Sequence, residues 1–134
     1  CQKNDLEYIR RPKFLSKDDI EKQDAIVHAT KYLTKKENFF PKIVISLHAN
    51  TPQANHLDLD KAIKFFDSIV PKKKIKEVFA VDKYNLQNGA FRIMTYDTVF
   101  QKTLSTKVGI FKTDYIDIHN KKEYLIVKKK LEKN

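Results

Sequence analysis

The sequence is short of the residues that usually mark cross-linking or cofactor chemistry. Its 134 residues include two glycines, one cysteine and no tryptophan. A single cysteine cannot form an internal disulfide. Because the first glycine is Gly89, the preceding chain has no glycine-rich loop of the kind that cradles a nucleotide phosphate. No apolar run approaches the roughly 18 residues that a membrane-spanning helix needs. These scarcities exclude a disulfide-stapled fold and a nucleotide-binding loop.

Arginine is also scarce, although the chain is strongly basic. The net charge is +10, and all but three of the 27 basic residues are lysine. Arginine is the residue that binds guanine or phosphate through two parallel hydrogen bonds, whereas lysine acts as a solvated point charge. We therefore expect nucleic acid to be an unlikely partner and any binding to it to be weak and salt-sensitive. A soluble, basic nucleic-acid-binding module is our second interpretation.

The apolar pattern predicts a single α+β domain over residues 16–134, preceded by a tether over residues 1–15. Two helices are predicted: one is capped by Ser16 and ends at Asn38 to Pro41, and the other runs as an apolar stripe from Asp58 to Val70 and is ended by Pro71. Between them, the apolar run from Ile43 to Leu47 is typical of a central strand buried on both faces. Four further strands are predicted as an antiparallel meander, the third over residues 106–118 and the last from Glu123 to Leu131. Helices that precede a run of strands favour packing on one face of a mainly antiparallel sheet.

Asn88-Gly89 predicts the central turn of this meander. Both residues tolerate positive φ, which a two-residue type I′ turn requires. With the turn there, Tyr84 would face Ile93 and Val78 would face Val99 on one side of a long ribbon. The pattern thus places a hairpin at the centre of the sheet.

The beginning of the sequence resembles the mature end of a bacterial lipoprotein. It opens on its only cysteine, Cys1, and continues with the polar residues Gln2, Lys3, Asn4 and Asp5. The resemblance implies that a signal peptide is removed before Cys1 and that Cys1 carries the lipid. Gln2, where some lipoproteins have aspartate, implies an outer-membrane protein that faces the periplasm. We therefore expect a bacterial cell-envelope protein held at the membrane through Cys1.

Basic residues form the candidate surface for a membrane or a partner. They occur in the tether and in two lysine-rich runs, and anionic lipid or an acidic protein would attract them. They are Arg10, Arg11, Lys13, Lys72, Lys73, Lys74, Lys76, Lys128, Lys129 and Lys130. The alternative is that they only keep a small protein soluble.

The segment Ser46-Leu47-His48-Ala49-Asn50 resembles the strand end that carries a zinc ligand in zinc-dependent cell-wall amidases. The resemblance implies that His48 would be the ligand. The His-Gly-Gly segment of that family is absent, and so is a glutamate in matching context, while a catalytic zinc needs three protein ligands. His56, Asp58 and Asp60 follow in the same polar region, where Asp58 is suited to cap a helix. We therefore predict no metal and no cofactor.

These observations favour a non-enzymatic envelope lipoprotein that binds another protein. An accessory subunit of an envelope or secretion assembly fits this description, as does an inhibitor or immunity protein against a toxin. The sequence identifies no catalytic residue and no small-molecule substrate. A cell-wall hydrolase is a third interpretation, and it rests on His48 alone.

Overall fold

The structure, a computed structural model, describes residues 6–17, 21–103 and 105–132, apart from the side chains of residues 72 and 73. It confirms the predicted α+β class. A 3-10 turn (Lys13–Ser16) precedes the main elements. These are α1 (Lys22–Glu37), β1 (Ile43–Leu47), α2 (His56–Lys73), β2 (Glu77–Val81), β3 (Gln87–Thr95), the short helix α3 (Tyr96–Val99), β4 (Val108–Lys112) and α4 (Lys121–Leu131).

The four strands form a mixed sheet in the order β1-β3-β2-β4. β3 pairs antiparallel with both β1 and β2, whereas β4 pairs parallel with β2. The predicted meander is therefore wrong, because β4 returns beside β2 instead of turning back on β3. The run from Ile43 to Leu47 is a strand, as predicted, but it lies at an edge of the sheet and not at its centre. Leu47, with 58% of its surface exposed, shows how open that edge is.

Helix α2 covers one face of the sheet and supplies three of the eight buried residues of the core cluster. Ala62, Phe66 and Ile69 recur at helical spacing and are buried. They pack in one cluster with the buried strand residues Val78 and Ile93. The apolar stripe that predicted this helix is thus the stripe that forms the core. The helix continues through Pro71, which was expected to end it, as far as Lys73.

A buried ion pair between β2 and β3 lies on the other face of the sheet. A hydrogen bond to Gln23 joins it to α1. Arg92 donates to Glu77 Oε2 from Nε at 2.8 Å and from Nη2 at 2.5 Å. It also donates from Nη1 to Oε1 of Gln23 in α1 at 2.7 Å. Oε1 of the fully buried Glu77 accepts the backbone N–H of Ser105 at 2.8 Å. Because Arg92 and its sheet neighbour Phe79 lie beneath α1, the prediction that both helices pack on one face is wrong.

The predicted N-cap of the first helix is five residues before the observed one, Glu21. Ser16, the predicted N-cap, lies in the 3-10 turn, where its hydroxyl donates to the carbonyl of Pro12 at 3.2 Å. The aspartates that suggested the helix start, Asp18 and Asp19, lie outside the described residues. The helix ends as predicted, at Asn38, which adopts the left-handed conformation with φ 46°.

The hairpin between β2 and β3 exists, but its turn is not Asn88-Gly89. The chain reverses between Asp82 and Leu86, where the Asp82 N–H donates to the Leu86 carbonyl at 2.8 Å. The Asp82 carboxylate accepts the N–H groups of Tyr84 and Leu86 at 2.8 and 2.9 Å. Asn85 supplies the positive φ, 65°. An aspartate whose side chain accepts a backbone N–H two residues later is a turn signal, as Asn-Gly is.

Because the turn lies elsewhere, the predicted cross-strand pairs are also wrong. Val78 lies opposite Ile93, and Phe79 lies opposite Arg92. Tyr84 belongs to the turn and is exposed, whereas Val99 ends the short helix α3. The hairpin is therefore shorter than predicted.

Gly89 lies in β3 at an irregularity in the pairing with β2, where the register shifts between Phe79 and Val81. Its φ is +70°, and a methyl group there would lie 2.7 Å from Nδ1 of His48 and 3.2 Å from Oδ2 of Asp117. Glycine is thus required here because the backbone forms a strand bulge and because the His48 side chain lies too close for a Cβ. Neither reason was apparent from the turn interpretation.

Replacing Gly89 with alanine is expected to destabilise the protein by about 2–3 kcal/mol, since both the positive φ and the close contact oppose a Cβ. Asn85→Ala is the matched control, because it introduces the φ cost alone, about 1 kcal/mol. Urea unfolding of the two variants would measure both values. Equal stability of Gly89→Ala and the wild type would contradict the proposed role of this glycine.

The chain after β4 does not continue as a strand, contrary to the prediction over 106–118. Backbone N–H groups of this segment instead donate hydrogen bonds to the loop between β1 and α2. The N–H of Ile116 donates to Oε1 of Gln53 at 3.0 Å, and the N–H of Ile118 donates to the carbonyl of Asn50 at 2.9 Å. These partners satisfy the backbone without a sheet neighbour, so the segment is extended but not part of the sheet.

The last predicted strand is helix α4. Its first turn carries a capping box, in which the Glu123 N–H donates to Oδ1 of Asn120 and the Asn120 N–H donates to Oε2 of Glu123, both at 3.1 Å. The residues from Tyr124 to Val127 are all apolar, which suggested a strand. Only Val127 among them is buried, and the other three side chains are exposed on the helix surface.

Candidate functional site

An apolar groove lies between the C-terminal half of α1 and the edge strand β1. Its volume is about 300 Å³. The lining comes from the helix, from the connection and from the strand, and consists of Thr30, Leu33, Thr34, Glu37, Phe39, Pro41, Ile43 and Val44. Leu33 is 39% exposed and Phe39 is 61% exposed. Large apolar side chains are thus open to solvent beside a concave surface, which is the usual mark of a binding site.

The strand beside this groove has an unpaired edge. β1 pairs with β3 on one side, and the described part of the chain contributes no strand on the other. In an antiparallel pair, alternate residues direct their N–H and C=O groups away from the neighbour. These outward groups form a template for another extended chain. Groove and edge meet at Ile43 and Val44, which line the groove and belong to the strand.

Lysines flank the groove in the sequence, although Lys36 already pairs with Glu7 at 2.9 Å and with Glu37, a lining residue, at 3.6 Å. Lys35 and Lys36 lie in the last turn of α1, and Lys42 immediately precedes β1. Lys42 contacts Asp67 at 3.3 Å through a side chain that is 85% exposed, and so remains open to a second carboxylate. The exposed Lys42 and the net charge of +10 therefore favour an acidic partner over a basic one.

This site was not predicted from the sequence, although one signal was present. Phe39 and Phe40 follow the helix-ending Asn38 directly, and both are more than 60% exposed, at 61% and 68%. Two phenylalanines in a connection, where polar residues are usual, indicated apolar surface outside the core. The other half of the site could not be seen, because β1 was assigned to the centre of the sheet.

The polar residues considered as metal ligands belong to two regions: His48 follows β1, whereas His56, Asp58 and Asp60 lie in the first turns of α2. His48 approaches Asp117, as the environment of Gly89 shows, whereas His56 begins α2 and is exposed. Within residues 6–17, 21–103 and 105–132, no group of three or more His, Cys, Asp or Glu side chains is arranged to hold a metal ion.

Asp58 has a structural role at the start of α2. Asn55, the N-cap, accepts the Asp58 N–H at 2.9 Å. The Asp58 carboxylate accepts the hydroxyl of Tyr115 at 2.5 Å and the ammonium of Lys61 at 3.1 Å. The Tyr115 hydrogen bond, followed by that of Lys61, lowers the pKa of Asp58 below its ordinary value. Burial, followed by the hydrogen bond to Asp58, raises the pKa of Tyr115 to about 12.

These two shifts define a pH range over which the Tyr115–Asp58 contact stabilises the fold. The lowered pKa of Asp58 means that its contribution is present above its ordinary pKa of 3.8 and is lost as the pH falls through the lower folded value. The raised pKa of Tyr115 means that its contribution is present below 10.0 and is lost as the pH rises toward about 12.

Tyr115→Phe is therefore expected to cost about 1 kcal/mol at neutral pH, the typical net value of one hydrogen bond. The stability difference from the wild type should shrink at both ends of the pH range, at acid pH through Asp58 and at alkaline pH through Tyr115. Denaturant unfolding at a series of pH values would measure it. A difference that is constant from acid to alkaline pH would contradict the assignment.

The predicted basic surface falls in three separate segments. Arg10, Arg11 and Lys13 are exposed at the start of the described chain, and Lys74 and Lys76 are exposed between α2 and β2. Lys128, Lys129 and Lys130 are exposed in the last turn of α4, while Lys72 and Lys73 end α2. A role for these residues in binding a membrane or a partner stays a prediction.

The predicted tether contacts the domain. Leu15 is buried, and Glu7 forms an ion pair with Lys36 of α1 at 2.9 Å. Cys1, the predicted lipidation site, lies outside the described residues, and its lipidation stays a prediction. None of the helices in the described ranges combines the length and the apolar character needed to cross a membrane.

The sequence was also compared with known proteins. No protein-family model matches the chain, and no curated protein matches it significantly.

Proposed function

We propose that the protein is a non-enzymatic binding module that takes up an extended segment of another protein as an additional strand beside β1. The observation that carries the proposal is the junction of an open strand edge with an apolar groove at Ile43 and Val44. Main-chain hydrogen bonds to an edge strand supply affinity, and a neighbouring pocket for alternate side chains supplies specificity.

The shape of the groove defines the segment that would bind. An extended chain directs alternate side chains to the same side, so every second residue of the segment would point toward α1. Leu33 and Phe39 would then contact apolar side chains, and Glu37 would lie at one end. The expected ligand has apolar residues at alternate positions.

The positive net charge of the chain favours a different protein as the partner over a second copy of this chain. With a net charge of +10, two copies would repel each other. An acidic segment would be attracted instead. An accessory subunit or a toxin-neutralising protein in the cell envelope, as proposed from the sequence, would use such a surface.

The test is a selection of peptides from a displayed random library. We expect enriched peptides with alternating apolar residues and acidic flanks. Their binding should shift the NMR amide resonances of Ile43–Leu47 and protect the outward-facing amides of β1 from hydrogen exchange. Leu33→Asp should weaken binding at least tenfold, because it places a charge in the groove.

Leu125→Asp is the matched control, since Leu125 is an exposed apolar residue of α4, 47% exposed against 39% for Leu33. It should leave peptide binding unchanged. The proposal is wrong if no sequence is enriched, if bound peptide shifts resonances away from β1, or if the protein sediments as a dimer paired through β1.

A further inference from the structure

A second concavity, distinct from the groove beside β1, lies between the N-terminal half of α1 and the sheet. Its volume is about 190 Å³. The lining combines cationic or ionisable side chains with apolar ones, among them Lys22, His48 and Arg92 and, with them, Ile26, Phe79 and Phe91. We refer to this site as the α1 cleft. A small number of polar groups converging on an apolar surface is the usual composition of a small-molecule site.

Arg92 is already oriented toward fixed partners. Its guanidinium lies 5.1 Å from the centroid of the Phe79 ring and is held by Glu77 and Gln23. Three of its five N–H groups are used in these contacts within the described chain. Two N–H donors therefore remain on a group that needs no reorganisation to bind a ligand, and preorganisation reduces the cost of binding.

His48 supplies a second polar group without a partner. Its Nδ1 is buried and makes no hydrogen bond within the described chain. Burial, followed by the nearby charge of Lys22, lowers the pKa of His48, while the Asp117 carboxylate opposes the shift. The imidazole is therefore neutral near pH 7 and presents one N–H donor in either tautomer. A buried polar atom without a partner is costly, and a bound polar group can relieve that cost.

We propose that the α1 cleft binds a small organic carboxylate with an apolar body. Lys22 and the free N–H groups of Arg92 would contact the carboxylate, and Ile26 and Phe79 would contact the apolar part. Because Glu77 already balances the charge of Arg92, the lining residues carry a net charge close to that of Lys22 alone, and the Asp117 carboxylate beside His48 limits the ligand to at most a monoanion. The apolar lining disfavours a strongly hydrated dianion such as phosphate.

The volume limits the size of this ligand. Pockets for drug-sized molecules measure about 300–1,000 Å³, and the α1 cleft is smaller, at about 190 Å³. A single aromatic ring with one carboxylate, as in benzoate, is of suitable size. Benzoate is therefore the probe, and benzamide, which has nearly the same shape without the charge, is the matched comparison.

The experiment is a titration of the full chain with benzoate, followed by NMR. We expect saturable shifts at the residues of the α1 cleft, and at least tenfold weaker binding of benzamide. Lys22→Gln should weaken benzoate binding about tenfold, the effect of losing one charge-assisted hydrogen bond. Lys31→Gln, a change of the same charge elsewhere on α1, should leave it unchanged. Arg92 is not replaced here, because its ion pair supports the fold.

The pKa of His48 is a second measurement, which tests whether the ligand binds beside this side chain. The charges that act on its imidazole are Lys22 from α1 and Asp117 from the segment after β4, and Arg92 from β3 lines the same cleft. A bound carboxylate adds a negative charge and stabilises the imidazolium, so benzoate should raise the pKa of His48 measured from the imidazole resonances.

Three results would overturn this assignment: shifts that never saturate, equal binding by the Lys22→Gln and Lys31→Gln variants, or an unchanged His48 pKa at saturating benzoate. Leu33→Asp, which targets the groove beside β1, should leave benzoate binding intact. The two proposals can therefore fail independently.

Discussion

Replacing Arg92 with leucine is expected to lower the free energy of unfolding by about 3–5 kcal/mol, the cost of removing one partner of a buried ion pair. Glu77 has no exposed side-chain surface, and Arg92 retains only 16%. Without the guanidinium, the carboxylate keeps the Ser105 N–H as a hydrogen-bond donor, but it has no compensating charge. Gln23 also loses its contact with the sheet, so α1 would be held less firmly. Denaturant unfolding measures the loss.

Lys42→Leu is the control for this variant, because it removes a lysine–carboxylate pair in which the side chains are 85% and 49% exposed. Exposed pairs contribute about 0–1 kcal/mol. In the double variant Glu77→Leu/Arg92→Leu, the loss should be smaller than the sum of the two single losses, since no buried charge is left alone. Equal costs for Arg92→Leu and Lys42→Leu would show that the ion pair does not stabilise the fold.

Replacing Phe66 with alanine is expected to destabilise the protein by about 3–5 kcal/mol, through lost burial and the cavity left behind. Phe66 is 1% exposed and lies at the centre of the contact between α2 and the sheet. Its neighbours Ala62 and Ile69 cannot both move inward, because Ile69 already contacts the surface above Gly109, where a methyl group would lie 2.8 Å from its Cδ1.

Phe14→Ala provides the comparison, since Phe14 is 64% exposed and surface substitutions usually change stability by less than about 0.5 kcal/mol. Thermal unfolding of the two variants would separate core from surface phenylalanines. If both lost the same stability, α2 would not be the principal packing partner of the sheet.

Local sequence signals predicted local structure well where one element dominates its neighbourhood. The stripe through Ala62 and Phe66 predicted α2, and Asn38 marked the end of α1. Both signals depend on contacts within one helix or on one backbone conformation. Neither requires knowledge of which strand lies beside which.

The errors arose where two local signals competed. Asn88-Gly89 and the segment Asp82–Leu86 are both turn signals, and the structure uses the second because Gly89 serves a bulge in β3. At the C-terminus, a run of apolar residues suggested a strand. The capping box between Asn120 and Glu123 was the better signal, since it satisfies two backbone N–H groups at a helix start.

The candidate site could not be predicted from the sequence for a different reason. An apolar groove beside β1 exists only because β1 is at the edge of the sheet, and edge position follows from the order of the strands. That order depends on long-range pairing, which no local pattern contains. Phe39 indicated that apolar surface was available, but it gave no indication of the strand beside it.

The order of the strands also affects how the chain folds. β2 and β3 are joined by a short turn and can pair early, whereas the pairing of Ile43 with Thr95 must close a loop that contains α2 and the whole hairpin. Pairings between residues distant in sequence slow folding. We therefore expect β1 to join the sheet late. During synthesis, the apolar segment Ile43–Leu47 would emerge from the ribosome well before its partner strand, and a chaperone could bind it during that interval.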